Sequence, residues 1–172
     1  MIDDFPLQQK LNLHTLEQRV LDKIDTCYHQ AELRLNRRFP RPDINFKQRG
    51  KAAGSARLQT NELRFNAILL QENQQHFITH TVPHEIAHLL VYQLYGQTKP
   101  HGKEWQQIMN QVFDLTAKTT HQYDVSSVKG KTFTYICQCT EHQLTIRRHN
   151  KIVRDHIKYI CRFCKQSLII KY

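Results

Sequence analysis

Long apolar runs are missing from this chain. No stretch approaches the ~18 consecutive apolar residues that a membrane span needs, which excludes a transmembrane helix. Glycine and proline are scarce, five of each in 172 residues, and that excludes a collagen-like or low-complexity chain. A leader segment is not expected either: Met1-Ile2-Asp3-Asp4-Phe5-Pro6 is acidic and no apolar run follows it, so the expectation is a cytoplasmic protein. No internal repeat is present, which excludes a solenoid. What remains is an ordinary globular composition, 40% hydrophobic and 23% charged, long enough for one domain or one domain with a small satellite.

Acidic residues are the next shortage, and it is local. Residues 129–172 hold ten basic and two acidic side chains, whereas residues 1–128 hold fifteen and thirteen. Most of the net charge of +10 therefore sits in the last quarter of the chain. Such asymmetry points to an acidic partner for that segment, nucleic acid first among them. Cysteine follows the same division. Cys27 stands alone, while Cys137, Cys139, Cys161 and Cys164 cluster near the end. The expected division is a domain over 1–128 and a basic, cysteine-bearing domain over 129–172.

Periodicity sets the elements. Leu13, Leu16, Val20, Ile24, Cys27, Ala31 and Leu35 recur at spacings of three or four, which predicts a helix over 8–36 and puts Cys27 in its core stripe. Residues 43–66 look extended, with a hairpin around Gln59–Glu62. Asn66 is placed to cap a short helix over 67–71. A helical pattern covers 75–95, with Pro83 either kinking it or starting a new helix and Gly96 ending it. A third helix is expected over 103–115. Short strands are expected at 132–136, 144–147 and 168–170.

The second helix carries His84-Glu85-Ile86-Ala87-His88. Histidines four apart share one helical face, so two imidazoles can hold one zinc ion at ~2.0–2.1 Å each. Glu85 points elsewhere and can serve as proton acceptor for a water polarised by the metal. Chance produces this pattern in roughly 0.03 of chains of this composition, so it carries weight. A catalytic zinc takes three protein ligands and a water. The metzincin continuation is excluded, because Val91 and Leu94 stand where glycine and histidine belong. The third ligand is then His101 or Glu104. His101 is favoured, because the turn after Gly96 returns the chain toward the helix. His80, one turn earlier, reads as a supporting or surface residue. Tyr92, Tyr95 and Tyr123 are candidates to stabilise an oxyanion.

Cys161 and Cys164 have the spacing of a zinc knuckle, with Cys137 and Cys139 as the facing pair and His142 a possible replacement for Cys139. That site would be closed and structural, stabilising a unit too small for a large core. Arg147, Arg148, Lys151 and Arg154 lie between the pairs, as expected of a basic hairpin that grips phosphates without reading sequence and weakens with salt.

Three runs together are similar to the SprT/Spartan family of zinc metallopeptidases: Thr81-Val82-Pro83-His84-Glu85-Ile86-Ala87-His88-Leu89-Leu90, Pro100-His101-Gly102-Lys103-Glu104-Trp105, and Tyr135 to Asn150 followed by Cys161-Arg162-Phe163-Cys164. The resemblance spans nearly the whole chain. It implies an α+β fold: a minimal zincin-like core of helices with a small antiparallel sheet, then a β-rich zinc ribbon. It carries over His84, His88 and His101 as ligands of a catalytic zinc, Glu85 as the catalytic residue, and a second, structural zinc on the cysteines. It also implies protein substrates associated with or crosslinked to DNA. The competing expectation is a nucleic-acid-binding regulator without proteolysis, in which the ribbon is the working part. A zinc hydrolase acting on other bonds would share the site.

Overall fold

The computed structural model describes residues 5–171, with side chains from Asn12 onward. Met1–Asp4, the start of the run Met1–Pro6 on which the expectation of no leader rests, lies outside the described residues. The chain forms two compact units that meet between Val128 and Lys129. Each is described by itself. No described helix is long and apolar enough to cross a membrane.

The first unit opens with α1 (Phe5–Leu35). Its buried stripe of Leu16, Val20, Ile24, Cys27, Tyr28 and Ala31 is the face that 3.6-residue periodicity requires. Burial pushes the Cys27 thiol up to about 11, as befits a core thiol rather than a reactive one. Three short strands follow: β1 (Asp43–Asn45), β2 (Gly54–Arg57) and β3 (Glu62–Phe65). Their order is β1-β3-β2, so β2 is an edge. The β2–β3 pair is the expected hairpin, its turn closed through Asn61 at φ 49°. The β1–β3 pair is parallel, which corrects the expectation of a wholly antiparallel sheet. Side-chain alternation is the same for either direction, so the sequence pattern could not distinguish them.

Asn66 starts α2 (Ala67–Glu72). Its side-chain oxygen accepts from the N–H of Ile68 and Leu69 at 3.1 and 3.4 Å, while its amide donates to the Gly50 carbonyl at 2.8 Å. One buried side chain therefore caps the helix and ties down the loop before β2. The expected helix over 75–95 is built in three pieces: α3 (Gln74–His76), a π-helical turn over Phe77–Thr81, and α4 (Val82–Tyr95). Pro83 sits in the first turn of α4, directly after the π-helical turn. Gly96, at φ 73°, ends it. The third helix is shorter than expected: α5 (Lys103–Gln107) runs into a π-helical turn over Ile108–Val112. Its buried residues, Trp105, Ile108, Met109 and Val112, join α1, α4 and the sheet in one core.

The second unit is a three-stranded antiparallel sheet of order β5-β4-β6, from β4 (Thr132–Ile136), β5 (Glu141–Thr145) and β6 (Ile169–Ile170). The strand expected over 144–147 ends at Thr145, and the expected basic hairpin is instead a helix, α6 (Ile146–Asp155). His149 anchors it. Its ring stacks on Phe133 with centroids 3.6 Å apart, and its Nδ1 bonds the Tyr135 hydroxyl at 3.0 Å. Helical geometry then puts Arg147, Lys151 and Arg154 on the side away from His149, with Arg148 about 100° around from it.

Asn66→Ala is expected to lower the stability of the first unit by about 1–2 kcal/mol. Asn66→Asp, which keeps the acceptor and loses the bond to Gly50, should fall between. Denaturant unfolding followed by the sole tryptophan, Trp105, checks both.

Candidate metal centres

Helical spacing brings His84 and His88 to one side of α4, and the chain returns to them through the turn at Lys99–Gly102. His101 sits in that turn at φ 56°, a left-handed conformation that costs energy outside glycine. Gly102 makes the turn possible, because a Cβ there would lie 2.8 Å from the Lys99 carbonyl. The outcome is a triangle of Nε2 atoms: His84 to His88 3.3 Å, His88 to His101 3.1 Å, and His101 to His84 3.0 Å. Nitrogens ~2.0–2.1 Å from one tetrahedral zinc lie about 3.3 Å apart, so the triangle fits that ion. Glu104 stands outside this group of converging ligands.

Packing fixes the rings. Trp105 is buried behind all three, its centroid 4.8, 5.6 and 4.7 Å from His84, His88 and His101. Its indole N–H donates to the His84 carbonyl at 3.3 Å. The main chain of Lys118 hydrogen-bonds the His84 ring, leaving Nε2 for a metal. Burial, then the charge of neighbouring histidines, pushes His84 down to about 4 and His88 down to about 3. Both are therefore neutral at pH 7, the form that ligates.

Glu85 turns from the triangle toward β2 and is 8% exposed. Burial pushes its carboxyl up to about 8, opposed by a hydrogen bond from the Ala56 backbone. Its place depends on Gly54. A Cβ at that position would lie 2.7 Å from Glu85 Cγ and 3.0 Å from Oε1. The sequence reading missed Gly54, whose signal was only a glycine inside a strand pattern. The three histidines, Glu85 and Gly54 line one cavity of about 890 Å³.

His80 lines the same cavity but stays outside the triangle, its ring parallel to His76 with centroids 4.3 Å apart. Of the candidate tyrosines, none of Tyr92, Tyr95 and Tyr123 lines the cavity. Tyr95 is exposed, and the Tyr123 hydroxyl bonds Thr81 Oγ1 and His76 Nδ1 at 2.9 Å each.

In the second unit, Cys137, Cys139, Cys161 and Cys164 bring their sulfurs within 4.8 Å of one another. The Cys137–Cys139 and Cys139–Cys161 separations of 3.4 and 3.6 Å approach the roughly 3.8 Å expected for sulfurs on a tetrahedral zinc. Backbone N–H groups of Cys164 and Phe163 pull Cys161 down to about 6, and that of Gln166 lowers Cys164, which favours thiolates. His142 stands beside this set, its Nε2 3.3 Å from the Cys137 sulfur, as a hydrogen-bond partner to it. Arg147, Arg148 and Arg154 are exposed on α6, with Lys151 half-buried.

The metal-free first unit should show a stability maximum near pH 6.5. His84 and His88 titrate lower in the folded chain than the usual 6.5, so the unfolded chain binds more protons below that pH and acid destabilises the fold. Glu85 titrates higher than the usual 4.5, so stability falls as the pH rises toward about 8. Melting of the chelated protein across this range, followed by Trp105, checks the maximum. Glu85→Gln should flatten the alkaline side.

Comparison with known proteins gives the family. Residues 24–121 match the SprT-like family and residues 131–171 match the SprT-like zinc ribbon domain. Protein SprT of Shewanella oneidensis is 49% identical over 155 residues, covering 90% of this chain and 99% of that protein. Protein SprT of Actinobacillus succinogenes is 48% identical over 162 residues, covering 94% and 95%. Protein SprT of Vibrio parahaemolyticus is 51% identical over 142 residues, covering 83% and 86%. No solved structure matches. With two family domains matched and relatives near half identical over most of its length, the chain belongs to the SprT-like family.

Proposed function

We propose that the chain is a zinc metallopeptidase that hydrolyses peptide bonds in DNA-associated or DNA-crosslinked proteins. Residues 1–128 would be the peptidase domain and residues 129–172 a basic ribbon that holds DNA. The observation that carries the reading is the triangle of three neutral imidazoles beside one buried carboxylate in a single cavity. His84, His88 and His101 would hold the catalytic zinc, and the four cysteines a structural one. A zinc ion bound by three imidazoles supplies Lewis acidity, polarising a carbonyl and acidifying water.

The protein's own part begins at β2. Among the described residues this strand pairs only with β3; its Ala56 backbone bonds Glu85, and Ala53 and Gly54 line the cavity. Glu85, lodged against Gly54, is placed to take a proton from the attacking water and deliver it to the leaving amine. The buried carboxyl, raised to about 8, would be returned toward its ionised form by a neighbouring cation. Trp105 keeps the imidazoles from turning, so little reorganisation is needed during the reaction.

Arg147, Arg148, Lys151 and Arg154 on α6 would contact phosphates. Such contacts give binding that is independent of sequence and weakens steeply with salt. The test is proteolysis of a DNA-binding protein by wild type and Glu85→Gln, with and without DNA, at two salt concentrations. Expected is cleavage by wild type that DNA stimulates and salt suppresses. Glu85→Gln should keep its zinc and lose about 10²–10⁴-fold in rate. Absence of cleavage, with salt-sensitive DNA binding by both proteins, would favour a nucleic-acid-binding regulator. Retained cleavage by Glu85→Gln would contradict the mechanism.

A further inference from the structure

Peptide hydrolysis builds negative charge on the carbonyl oxygen, and a positioned donor for that oxygen contributes about 10²–10³ in kcat. His84, Glu85, His88 and His101 supply ligands and a base but no such donor. The candidate tyrosines do not supply it, since Tyr92, Tyr95 and Tyr123 do not line the cavity and the Tyr123 hydroxyl is engaged by Thr81 and His76. Three other histidines line the same cavity: His76, whose Nδ1 is paired with the Tyr123 hydroxyl, and His80 and His121, whose hydrogen bonds fix opposite tautomers.

His80 is an acceptor. The Thr79 hydroxyl spends its one proton on the Gln75 carbonyl at 2.9 Å. It must then accept from His80 Nδ1, 2.9 Å away. The His80 proton is therefore on Nδ1, and Nε2 is bare.

His121 is the reverse. A backbone N–H can only donate, and that of Tyr123 donates to His121 Nδ1 at 3.4 Å. Nδ1 is thus the acceptor, and the neutral ring carries its proton on Nε2. The ring is held by stacking on Tyr123, with centroids 4.3 Å apart and planes 21° apart. Tyr123 is itself fixed by its two hydroxyl bonds and by stacking on Phe77. The chain reaches this wall from Lys118, whose main chain bonds the His84 ring. Three residues span at most ~10 Å, so His121 stays near the triangle. Burial, then the charge of His76, holds His121 below the usual imidazole range, so it is neutral at pH 7.

We propose that His121 is a further catalytic residue, whose Nε2–H donates to the oxygen of the scissile carbonyl as charge develops there. This rests on the metallopeptidase reading. The step makes and breaks no covalent bond at His121. A donor that strengthens only as charge builds raises kcat and leaves KM nearly alone.

Three measurements test it on the full chain. In the metal-free protein, nitrogen chemical shifts of the His121 ring should report a protonated Nε2 and a bare Nδ1. In the zinc-loaded protein, His121→Phe keeps a ring and removes the donor. It should lower kcat about 10²-fold with KM changed less than about threefold and zinc content unchanged. His121→Gln, which retains an N–H, should recover a large part of that loss. Calorimetry supplies a readout without turnover: a phosphinic peptide, which presents an oxyanion, should bind His121→Phe about 10²-fold more weakly, while a thiol inhibitor binds both equally. Should His121→Phe fail to fold, the tautomer and His121→Gln decide. A proton on Nδ1 overturns the assignment. So does an unchanged kcat in His121→Phe when wild type cleaves and Glu85→Gln does not. If wild type cleaves nothing, the metallopeptidase reading fails and takes this assignment with it.

Discussion

Three imidazole nitrogens converge to within 3.0–3.3 Å of one another, and burial holds two of those rings well below the usual imidazole range. Neutral lone pairs that close repel unless a proton or cation lies among them. Protonation is disfavoured by desolvation, so a metal cation is the natural partner of the cluster. Much of the first unit serves this convergence. The helix supplies the four-residue spacing, with Pro83 in its first turn. The left-handed turn at His101 and the bare Cα of Gly102 bring the third ring back. Trp105 fills the space behind all three. The strained backbone at His101 is held by its surroundings, as strained functional residues generally are.

The carboxylate obeys a separate constraint. Glu85 lies on the same helix as His84 and His88, yet its side chain leaves them and presses on β2 at Gly54. Any larger residue at that position would displace the carboxylate. A short edge strand thus lies against the buried carboxyl at the wall of the cavity. The loop after the second π-helical turn forms another wall, carrying the Lys118 carbonyl and the His121 ring.

Much of this was legible in the sequence where chemistry is local. The spacing of His84 and His88, the cap at Asn66, the Gly96 stop and the hairpin before it are short-range signals, and the structure has all of these elements. His101 emerged from the same turn logic, and the structure brings it to the pair while leaving Glu104 aside. Tertiary signals were not legible. Residue types do not reveal that β1 runs parallel to β3, nor that π-helical turns interrupt two helices. Gly54 matters only because Glu85 approaches it from another element. The run 146–155 carries a helical signal, with Ile146 and Val153 on one face beside His149, but both stay exposed, so burial of that face does not drive the helix. α6 forms because His149 seats on Phe133 and Tyr135. The tautomer of His121 depends on a backbone N–H two residues away.

The second unit follows a simpler economy. Forty-four residues bury few side chains, with Tyr135, Leu144 and Cys161 among them. Four converging sulfurs replace the missing core, since binding a metal there contributes directly to folding. This leaves the exposed surface free to carry charge. The most direct test of the account is an anomalous-diffraction map of crystals grown with zinc. The account predicts one peak within about 2.0–2.1 Å of Nε2 of His84, His88 and His101, with Glu85 outside the coordination sphere. No peak among the three rings, or one bound through Glu85 or Glu104 in place of a histidine, would contradict it.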